Sequence, residues 1–226
     1  MITHYPPHPQ SPMPVAFLTG GGRGIGAATK DLLLAQGWGC IAPTRQDCDL
    51  QSYSVTAAYA QALTQHGPPL RAVILNAHAW YSAPLETQTP GDFDTQMAYV
   101  RHHWWLLRHL LLYGHVETVI TVASTRGLMG GVASGPYSMA KAALVAMHHG
   151  FVREWPSVRF HCVCPGLTAT EMEAVVRATG GASPGAVAQP PQAVAQVIVD
   201  LLHAEGTGQL LRVVNGLTTS VAWKEC

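Results

Sequence analysis

Charged residues are scarce in this chain, and neither sign dominates. Only 12% of the 226 residues are Asp, Glu, Lys or Arg, against about 25% in an average soluble domain. Lys plus Arg equals Asp plus Glu, at 13 each, so the formal net charge is zero. This balance predicts that the protein binds neither nucleic acid nor an anionic membrane. Apolar residues make up 48% of the chain, which indicates a packed core rather than disorder.

Cysteine is too sparse for a disulfide scaffold, and the sequence has no metal motif. The five cysteines are scattered, and no HExxH motif occurs among the twelve histidines. Cys162 and Cys164 lie two residues apart in an apolar stretch, but no second Cys or His pair completes a zinc site. We therefore predict buried thiols and no bound metal.

The sequence also lacks a long hydrophobic run. A membrane-spanning helix needs roughly 18–20 consecutive apolar residues, and the longest candidate, residues 104–113, is interrupted by Arg108 and His109. Residues 1–14 are rich in proline and histidine and lack the apolar centre of a signal peptide. We predict a flexible N-terminal arm over residues 1–14 and a single domain over residues 15–226, in the reducing cytoplasm.

Short apolar segments that favour strands alternate with longer segments that favour helices. Strands are predicted at residues 15–19, 38–42, 71–76, 116–124, 158–164 and 210–215, and helices at residues 25–36, 55–65, 93–112, 137–154, 171–176 and 191–203. This alternation predicts an α/β fold, with one doubly wound, Rossmann-like parallel sheet of six to seven strands and helices on both faces. Residues 180–191, rich in Gly, Ala and Pro, are expected to form a mobile flap.

A glycine-rich loop joins the first predicted strand to the first predicted helix. It comprises Thr19, Gly20, Gly21, Gly22, Arg23, Gly24, Ile25 and Gly26. Gly20 would allow a sharp turn, Gly24 a close approach to a pyrophosphate, and Gly26 tight packing of helix against strand. The helix N-terminus would offer free N–H groups to the phosphates. The spacing is G-x3-G-x-G rather than G-x-G-x-x-G, and a plain tight turn is the alternative.

A second constellation consists of Ser124, Tyr137 and Lys141. Tyr137 and Lys141 are four residues apart on a predicted helix, so they lie on one face. Ser124 ends a predicted strand, at the edge where open α/β sheets bind ligands. The pKa of a tyrosine in water is about 10, and a nearby ammonium group would lower that pKa and favour proton transfer. A solvated Tyr-x3-Lys face is the alternative.

Together, the loop and this trio resemble the short-chain dehydrogenase/reductase family over residues 15–216, nearly the whole chain. The resemblance implies that Tyr137 exchanges a proton with a carbonyl or alcohol oxygen, that Lys141 lowers the tyrosine pKa, and that Ser124 orients the substrate oxygen. It also implies hydride transfer to or from a nicotinamide cofactor. The residues it assigns to cofactor binding are Gly20, Gly22, Arg23, Gly24, Ile25, Gly26, Arg45, Asp49, Leu50, Asn76, Ala77, Tyr137, Lys141, Pro165, Gly166, Thr168 and Thr170.

The choice of cofactor depends on the residues after the second predicted strand. NAD enzymes usually have a carboxylate there for the ribose hydroxyls, whereas this chain has Thr44 followed by Arg45. Arg45, together with Arg23 in the glycine loop, suits a 2′-phosphate because guanidinium groups bind phosphate bidentately. We therefore predict NADP(H) rather than NAD(H). A solvated surface position for Arg45 is the alternative.

Three features depart from the family pattern. Few residues separate the second strand from Asp49, which resembles the family's adenine-contacting aspartate, so most of one helix and a strand are expected to be missing. His78 replaces the glycine of the family's Asn-Ala-Gly motif. Val100 stands where the family has a catalytic asparagine, and a valine cannot hold a relay water. His102 or His103 is the candidate substitute.

The leading hypothesis is an NADP(H)-dependent carbonyl reductase or alcohol dehydrogenase for small molecules, assembled as a homodimer or homotetramer. The shortened region after the second strand also resembles dihydropteridine reductases, which keeps a pteridine substrate open. A cofactor-binding sensor or scaffold with weak catalysis is a third hypothesis, motivated by Val100 and His78. Trp80, Tyr81 and Trp104 are expected to give the pocket aromatic walls suited to an apolar or flat substrate.

Overall fold

The computed structural model describes residues 13–182 and 185–222. Within these residues the strands are β1 (Val15–Leu18), β2 (Gly39–Ile41), β3 (Ala72–Leu75), β4 (Thr118–Val122), β5 (Arg159–Pro165), β6 (Gln209–Val214) and β7 (Leu217–Ser220). They form one sheet in the order β2-β1-β3-β4-β5-β6-β7. Strands β1 to β6 are parallel, and β7 pairs antiparallel with β6. A mostly parallel sheet of this kind needs a crossover between consecutive strands, usually a helix.

Helices supply most of these crossovers. They are α1 (Gly24–Ala35), α2 (Tyr53–His66), α3 (Pro90–Tyr113), α4 (Thr125–Met129), α5 (Gly135–Glu154), α6 (Glu171–Ala178) and α7 (Pro191–His203), with a 3₁₀ turn at Leu85–Thr87. Helices α1 and α7 pack together on one face of the sheet, and α2, α3 and α5 cover the other face. The predicted doubly wound α/β fold is confirmed.

The central strands are apolar on both faces because helices cover both faces. In β1, Phe17 packs in the layer of α2, α3 and α5, whereas Ala16 and Leu18 pack in the layer of α1 and α7. In β3, Val73 belongs to the first layer and Ile74 to the second. Burial on both faces explains why these strands are continuous apolar runs in the sequence.

The structure also differs from the predicted elements. Residues 42–52, all of which the structure describes, contain neither a helix nor a strand, as expected from the shortened region after β2. The predicted strand at residues 116–124 is too long, because Ser124 caps the unpredicted helix α4. Strand β7 was also not predicted. The predicted arm at residues 1–14 lies outside the described residues except for its last two positions, and the predicted flap includes the undescribed residues 183 and 184.

Candidate active site

A deep cleft opens along the carboxyl edge of the sheet. Its volume is about 1150 Å³, above the range of roughly 300–1,000 Å³ that is typical of pockets for drug-sized ligands. The glycine loop lines the cleft after β1, and Ser124 lines it after β4, two strands away in the sheet. Adjacent strands are about 4.8 Å apart, so the cleft spans several strands. It has room for a dinucleotide and a small substrate side by side.

The glycine loop has no side chains where a ligand would approach. A Cβ atom on Gly26 would lie 2.0 Å from the Gly20 carbonyl oxygen, so a larger residue would separate α1 from the loop. Gly24 has a φ of +55°, a left-handed conformation that favours glycine. A Cβ on Gly22 would meet no atom within 4 Å. The loop therefore forms a cradle of backbone groups at the N-terminus of α1, which suits phosphate oxygens.

Asn76 and Ala77, which follow β3, brace this loop. The Asn76 side-chain amide donates hydrogen bonds to the carbonyl oxygens of Thr19 and Gly20, at 3.1 and 3.2 Å. In return, the Thr19 hydroxyl accepts hydrogen bonds from the backbone N–H groups of Asn76 and Ala77, at 2.9 and 3.0 Å. The structure thus brings the predicted Asn-Ala pair together with the predicted glycine loop.

The two arginines predicted to bind a 2′-phosphate both contact carboxylates. Arg23 Nη1 lies 2.8 Å from Glu171 Oε2, and Arg45 Nε lies 3.3 Å from Asp49 Oδ1. The arginine side chains are 73% and 76% exposed, and ion pairs this exposed are worth at most about 1 kcal/mol. Both guanidinium groups are therefore free to exchange their carboxylate for a phosphate at little cost.

The segment after β2 also contains a carboxylate that the sequence analysis did not consider. Asp47 accepts hydrogen bonds from the Thr44 N–H and hydroxyl groups, at 3.0 and 2.7 Å, and these bonds lower the Asp47 pKa. Thr44, Asp49 and Leu50 line the cleft, whereas Asp47 does not. The carboxylate thus holds the turn together from outside the cleft.

Lys30 is a third cation at this end of the cleft, and sequence analysis missed it. It is half-buried on α1 and lines the cleft together with Ala42 and Thr44, which follow β2. Burial raises the pKa of the nearby Cys40 thiol, and the Lys30 ammonium opposes that rise. Among the described residues, no carboxylate pairs with Lys30. Lys30 follows Gly26 by four residues, which is about one helical turn. Helical spacing could therefore have predicted that the Lys30 side chain lies on the same face of α1 as the glycine loop.

The segment after β5 forms another wall of the cleft. The Thr168 hydroxyl donates a hydrogen bond to the Gly166 carbonyl oxygen at 3.0 Å. A Cβ atom on Gly24 would lie 3.0 Å from Thr170 Cγ2, so this segment approaches the glycine loop. All four residues that the sequence predicted here line the cleft: Pro165, Gly166, Thr168 and Thr170.

Ser124, Tyr137 and Lys141 converge beyond the end of β4. Tyr137 and Lys141 lie one turn apart on α5, with Lys141 Nζ 5.8 Å from the centre of the Tyr137 ring. The three residues are only 8%, 6% and 3% exposed, in chain order. Burial raises the pKa of Tyr137 to about 12, while a hydrogen bond from Ser124 and the charge of Arg126 act in the opposite direction.

The structure differs from the expectation that Lys141 lowers the pKa of Tyr137. Lys141 Nζ donates a hydrogen bond to the Val122 carbonyl oxygen at 3.0 Å, because a buried ammonium needs an acceptor. Burial lowers the pKa of Lys141 to about 8. The cation that lowers the tyrosine pKa here is Arg126, which the sequence analysis did not single out.

Comparison with known proteins identifies the family. The sequence profile of the short chain dehydrogenases matches residues 44–180. The chain belongs to the short chain dehydrogenase family. It is 29% identical over 183 residues to acetoacetyl-CoA reductase of Synechocystis sp., covering 72% of this chain and 75% of that protein. It is 28% identical over 182 residues to dihydromonapterin reductase of Citrobacter koseri, covering 69% of this chain and 74% of that protein.

A solved structure has the same fold. The crystal structure of a blue fluorescent protein from a metagenomic library, in complex with NADPH, matches with a TM-score of 0.79 at 23% identity. The match covers 90% of this chain and 97% of that one. Within residues 13–182 and 185–222, no helix is long and apolar enough to cross a membrane, and no cluster of His, Cys, Asp or Glu is suited to a metal ion.

His78, which replaces a glycine of the short chain dehydrogenase pattern, packs into the site. Its ring stacks on Tyr99, with centroids 4.5 Å apart, and meets Tyr137 edge-on at 5.4 Å. Its Nε2–H group donates to Gln96 Oε1 at 3.1 Å. Burial, reinforced by the charge of Lys141, lowers the His78 pKa well below its usual value. A neutral imidazole thus fills the space beside the phenol that a glycine would leave open.

Trp80 is the aromatic wall that the sequence predicted. Its ring lies 4.7 Å from that of Tyr137, and its Nε1–H group donates to the Thr179 hydroxyl at 3.1 Å. Trp80 therefore covers the phenol and links the segment after β3 to the segment after α6. The predictions for Tyr81 and Trp104 were wrong, because neither residue lines the cleft. Tyr81 instead forms a hydrogen bond with the Asp92 carboxylate. Trp104 lines a groove between α3 and α5.

Val100 also lies away from the cleft, in the groove between α3 and α5. Of the two candidate substitutes, His102 points to the Leu50 carbonyl oxygen, 2.7 Å from its Nδ1. His103 Nε2 lies 3.2 Å from the Thr19 hydroxyl. That hydroxyl already accepts two backbone hydrogen bonds, so it donates its proton to Nε2. The proton of the neutral His103 ring is therefore on Nδ1. Burial lowers the His103 pKa to about 3, with the charge of Lys141 contributing. Neither histidine lines the cleft.

Proposed function

We propose that the protein is an NADP(H)-dependent oxidoreductase that interconverts a small carbonyl compound and the corresponding secondary alcohol. The observation that carries the proposal is the convergence of Ser124, Tyr137 and Lys141 in the same cleft as the glycine loop. A phenol, an ammonium group and a hydroxyl beside a dinucleotide cradle match the needs of a carbonyl reduction, which requires a proton donor and an orienting group at the oxygen.

In the direction of reduction, the Ser124 hydroxyl holds the substrate oxygen next to the Tyr137 phenol. The hydride for the carbonyl carbon would come from bound NADPH, which would become NADP⁺. As the carbon–oxygen π bond breaks, Tyr137 gives its proton to the oxygen, and the product is an alcohol. The charge of Arg126 favours the phenolate that remains, until a proton returns from solvent, while Lys141, one helical turn away on α5, would contact the bound cofactor.

The residues present fit a dinucleotide. The backbone cradle of residues 20–26 would hold the pyrophosphate with its N–H groups, and its shape depends on Gly26, because a Cβ atom there would clash with the Gly20 carbonyl oxygen. Thr168 and Thr170 lie on the adjoining wall and would hold the nicotinamide half. Lys30, with Arg23 and Arg45, gives the adenosine end of the cleft three cations, which favours a 2′-phosphate over a bare ribose hydroxyl.

The substitution Tyr137→Phe tests the assignment. We expect it to lower NADPH oxidation with a panel of ketones, diketones and quinones about 100- to 10,000-fold, the range for loss of a general acid. Tyr113→Phe is the matched control, because Tyr113 is 65% exposed at the end of α3. Undiminished turnover in Tyr137→Phe would show that the phenol is not the proton donor. NADPH binding without turnover of any carbonyl by the unaltered protein would favour the sensor or scaffold hypothesis.

A pteridine is the second candidate substrate. The observation that favours it is the flat aromatic surface of Trp80, which would stack on a planar ring system beside Tyr137. The similarity to dihydromonapterin reductase supports the same candidate. Assay of dihydropterins with NADPH tests it: turnover exceeding that of simple ketones would favour the pteridine, and no turnover would exclude it.

We also propose that two copies associate through the groove between α3 and α5, as a homodimer or within a homotetramer. The groove is lined by large apolar side chains, including Met97, Trp104, Met147 and Phe151. Trp104 is 43% exposed, and burial of such a ring stabilises an interface. Light scattering on a size-exclusion column tests the idea, and a monodisperse monomer at micromolar concentration would refute it.

A further inference from the structure

Arg126 places a positive charge beside the proposed catalytic hydroxyls. It lies on α4, two residues after Ser124, and its backbone N–H group donates to the Ser124 hydroxyl at 3.2 Å. Its side chain lines the cleft and crosses Gly131 so closely that a Cβ atom there would be 2.0 Å from Arg126 Nη1. The guanidinium group is thus half-buried and held in place.

The backbone uses only part of the hydrogen-bonding capacity of Arg126. Nη1 donates to the Gly130 carbonyl oxygen at 3.3 Å, and Nη2 donates to the Gly181 carbonyl oxygen. A guanidinium group has five N–H donors, so three remain for a ligand. Both partners are neutral carbonyls, which leaves the positive charge of a half-buried group without a counter-charge.

The carboxylates of the cleft pair with other arginines. Each of them has an arginine partner: Glu171 with Arg23, Asp49 with Arg45, and Glu173 with Arg177. Among residues 13–182 and 185–222, no carboxylate forms an ion pair with Arg126. The charge next to Ser124 and Tyr137 is therefore available to an anionic group of a ligand.

Apolar side chains line the cleft both in the part of the chain around Arg126 and on the opposite wall. Trp80, Met129 and Val132 line the same cleft, and Met129 and Val132 are 73% and 82% exposed. Such side chains would pack against hydrocarbon. A ligand that matches this part of the cleft has an apolar body and one negative charge.

We propose that the substrate is an oxo acid, or the corresponding hydroxy acid, whose carboxylate binds Arg126 while its carbonyl group lies between Ser124 and Tyr137. The inference rests on the proposed function and names its substrate class. A carboxylate suits Arg126 because it accepts parallel N–H donors bidentately. One uncommitted guanidinium group matches the single charge of a carboxylate.

The test compares acids with their neutral esters. The enzyme is assayed with NADPH and 2-oxobutanoate, acetoacetate and levulinate, and with the ethyl ester of each, so that the distance between carbonyl and carboxylate varies. We expect kcat/KM for at least one acid to exceed that for its ester. In Arg126→Gln, the acid-to-ester ratio falls about 10- to 100-fold, the loss expected for a hydrogen-bonded charge. Arg126→Lys, which keeps the charge, retains part of the preference.

Arg126→Gln removes both a positive charge and a hydrogen bond to the flap at residues 180–191, and a control variant distinguishes these two effects. Arg177 also donates a hydrogen bond to the backbone of the flap, at the Ala186 carbonyl oxygen, but it does not line the cleft. Arg177→Lys keeps the cation that pairs with Glu173 but removes the guanidinium N–H that bonds the flap, and we expect it to keep the acid-to-ester ratio. Equal turnover of acids and esters, or the same ratio in Arg126→Gln, overturns the inference and leaves the proposed function standing.

Calorimetry gives a second readout that does not depend on turnover. Levulinate is titrated into the protein in the presence of NADP⁺, and we expect binding that Arg126→Gln abolishes. If the unaltered protein binds levulinate through Arg126 but reduces no carbonyl compound, the proposed function fails while the carboxylate site stands. If it reduces neutral ketones and binds none of the acids, the carboxylate site fails.

Discussion

His148 is expected to make the protein sensitive to acid. It lies on α5 and is 1% exposed, and neither of its ring nitrogens has a close hydrogen-bond partner among the described residues. Burial lowers its pKa to about 4, and the neighbouring imidazoles of His149 and His161 contribute. The ring is therefore neutral in the folded protein at pH 5, whereas in the unfolded chain it is protonated below about pH 6.5.

The size of the effect follows from these two pKa values. Because the unfolded chain binds the proton more tightly, the free energy of unfolding decreases as the pH falls from about 6.5 towards 4. At pH 5 the unfolded imidazole is almost fully protonated and the folded one is not. One pKa unit corresponds to about 1.4 kcal/mol, so His148 alone costs about 2 kcal/mol of stability between pH 7 and pH 5.

Urea unfolding at pH 7 and pH 5, followed by circular dichroism at one protein concentration, measures this cost. His148→Gln cannot titrate, so we expect its stability to fall about 2 kcal/mol less than that of the unaltered protein over the same interval. His115→Gln is the control, because His115 is exposed in the loop before β4. The two proteins differ in no other titrating group. If the free energy of unfolding falls as much in His148→Gln as in the unaltered protein between pH 7 and pH 5, the assignment to His148 is refuted.

Two further predictions concern the cofactor. Gly26→Ala forces a Cβ atom against the Gly20 carbonyl oxygen and is expected to raise the Kd for NADPH at least about tenfold, as measured by quenching of tryptophan fluorescence. Gly150→Ala, which fills open space, should leave that Kd unchanged. Lys30→Gln should weaken NADPH binding about tenfold and NADH binding far less, because a 2′-phosphate loses a charged donor. Equal weakening of NADPH and NADH binding would contradict this prediction. Arg108→Gln, on the outer face of α3, is the control.

The fold was largely predictable because its signals are local. Buried parallel strands are short apolar runs, and helices on both faces make those runs continuous. The start of α3 was missed by three residues, although Thr89 and Asp92 form a capping box that the sequence displays. Strand β7 was missed because its residues, Leu217–Ser220, are all exposed and polar for the most part, so no burial pattern marks them.

The site was predictable only where its residues form sequence motifs. The glycine loop and the Tyr-x3-Lys pair are compact motifs, and the structure brings them to one cleft. The ion pair of Arg23 with Glu171 joins residues 148 positions apart, and no local pattern announces it. The hydrogen bond of the Lys141 ammonium group was equally unpredictable from the sequence, because its acceptor, the Val122 carbonyl oxygen, belongs to another element.

The burial of Tyr137 bears on the direction of the proposed reaction. With a pKa of about 12, the phenol is protonated at neutral pH and is ready to donate to a carbonyl oxygen. Alcohol oxidation requires the phenolate instead, and forming it at pH 7 would cost about 7 kcal/mol at about 1.4 kcal/mol per pKa unit. Donation to a carbonyl oxygen also requires access to the phenol, which Trp80 covers. Lys141 Nζ lies 5.8 Å from the centre of the phenol ring, and a cation closer to the hydroxyl would lower the cost of forming the phenolate.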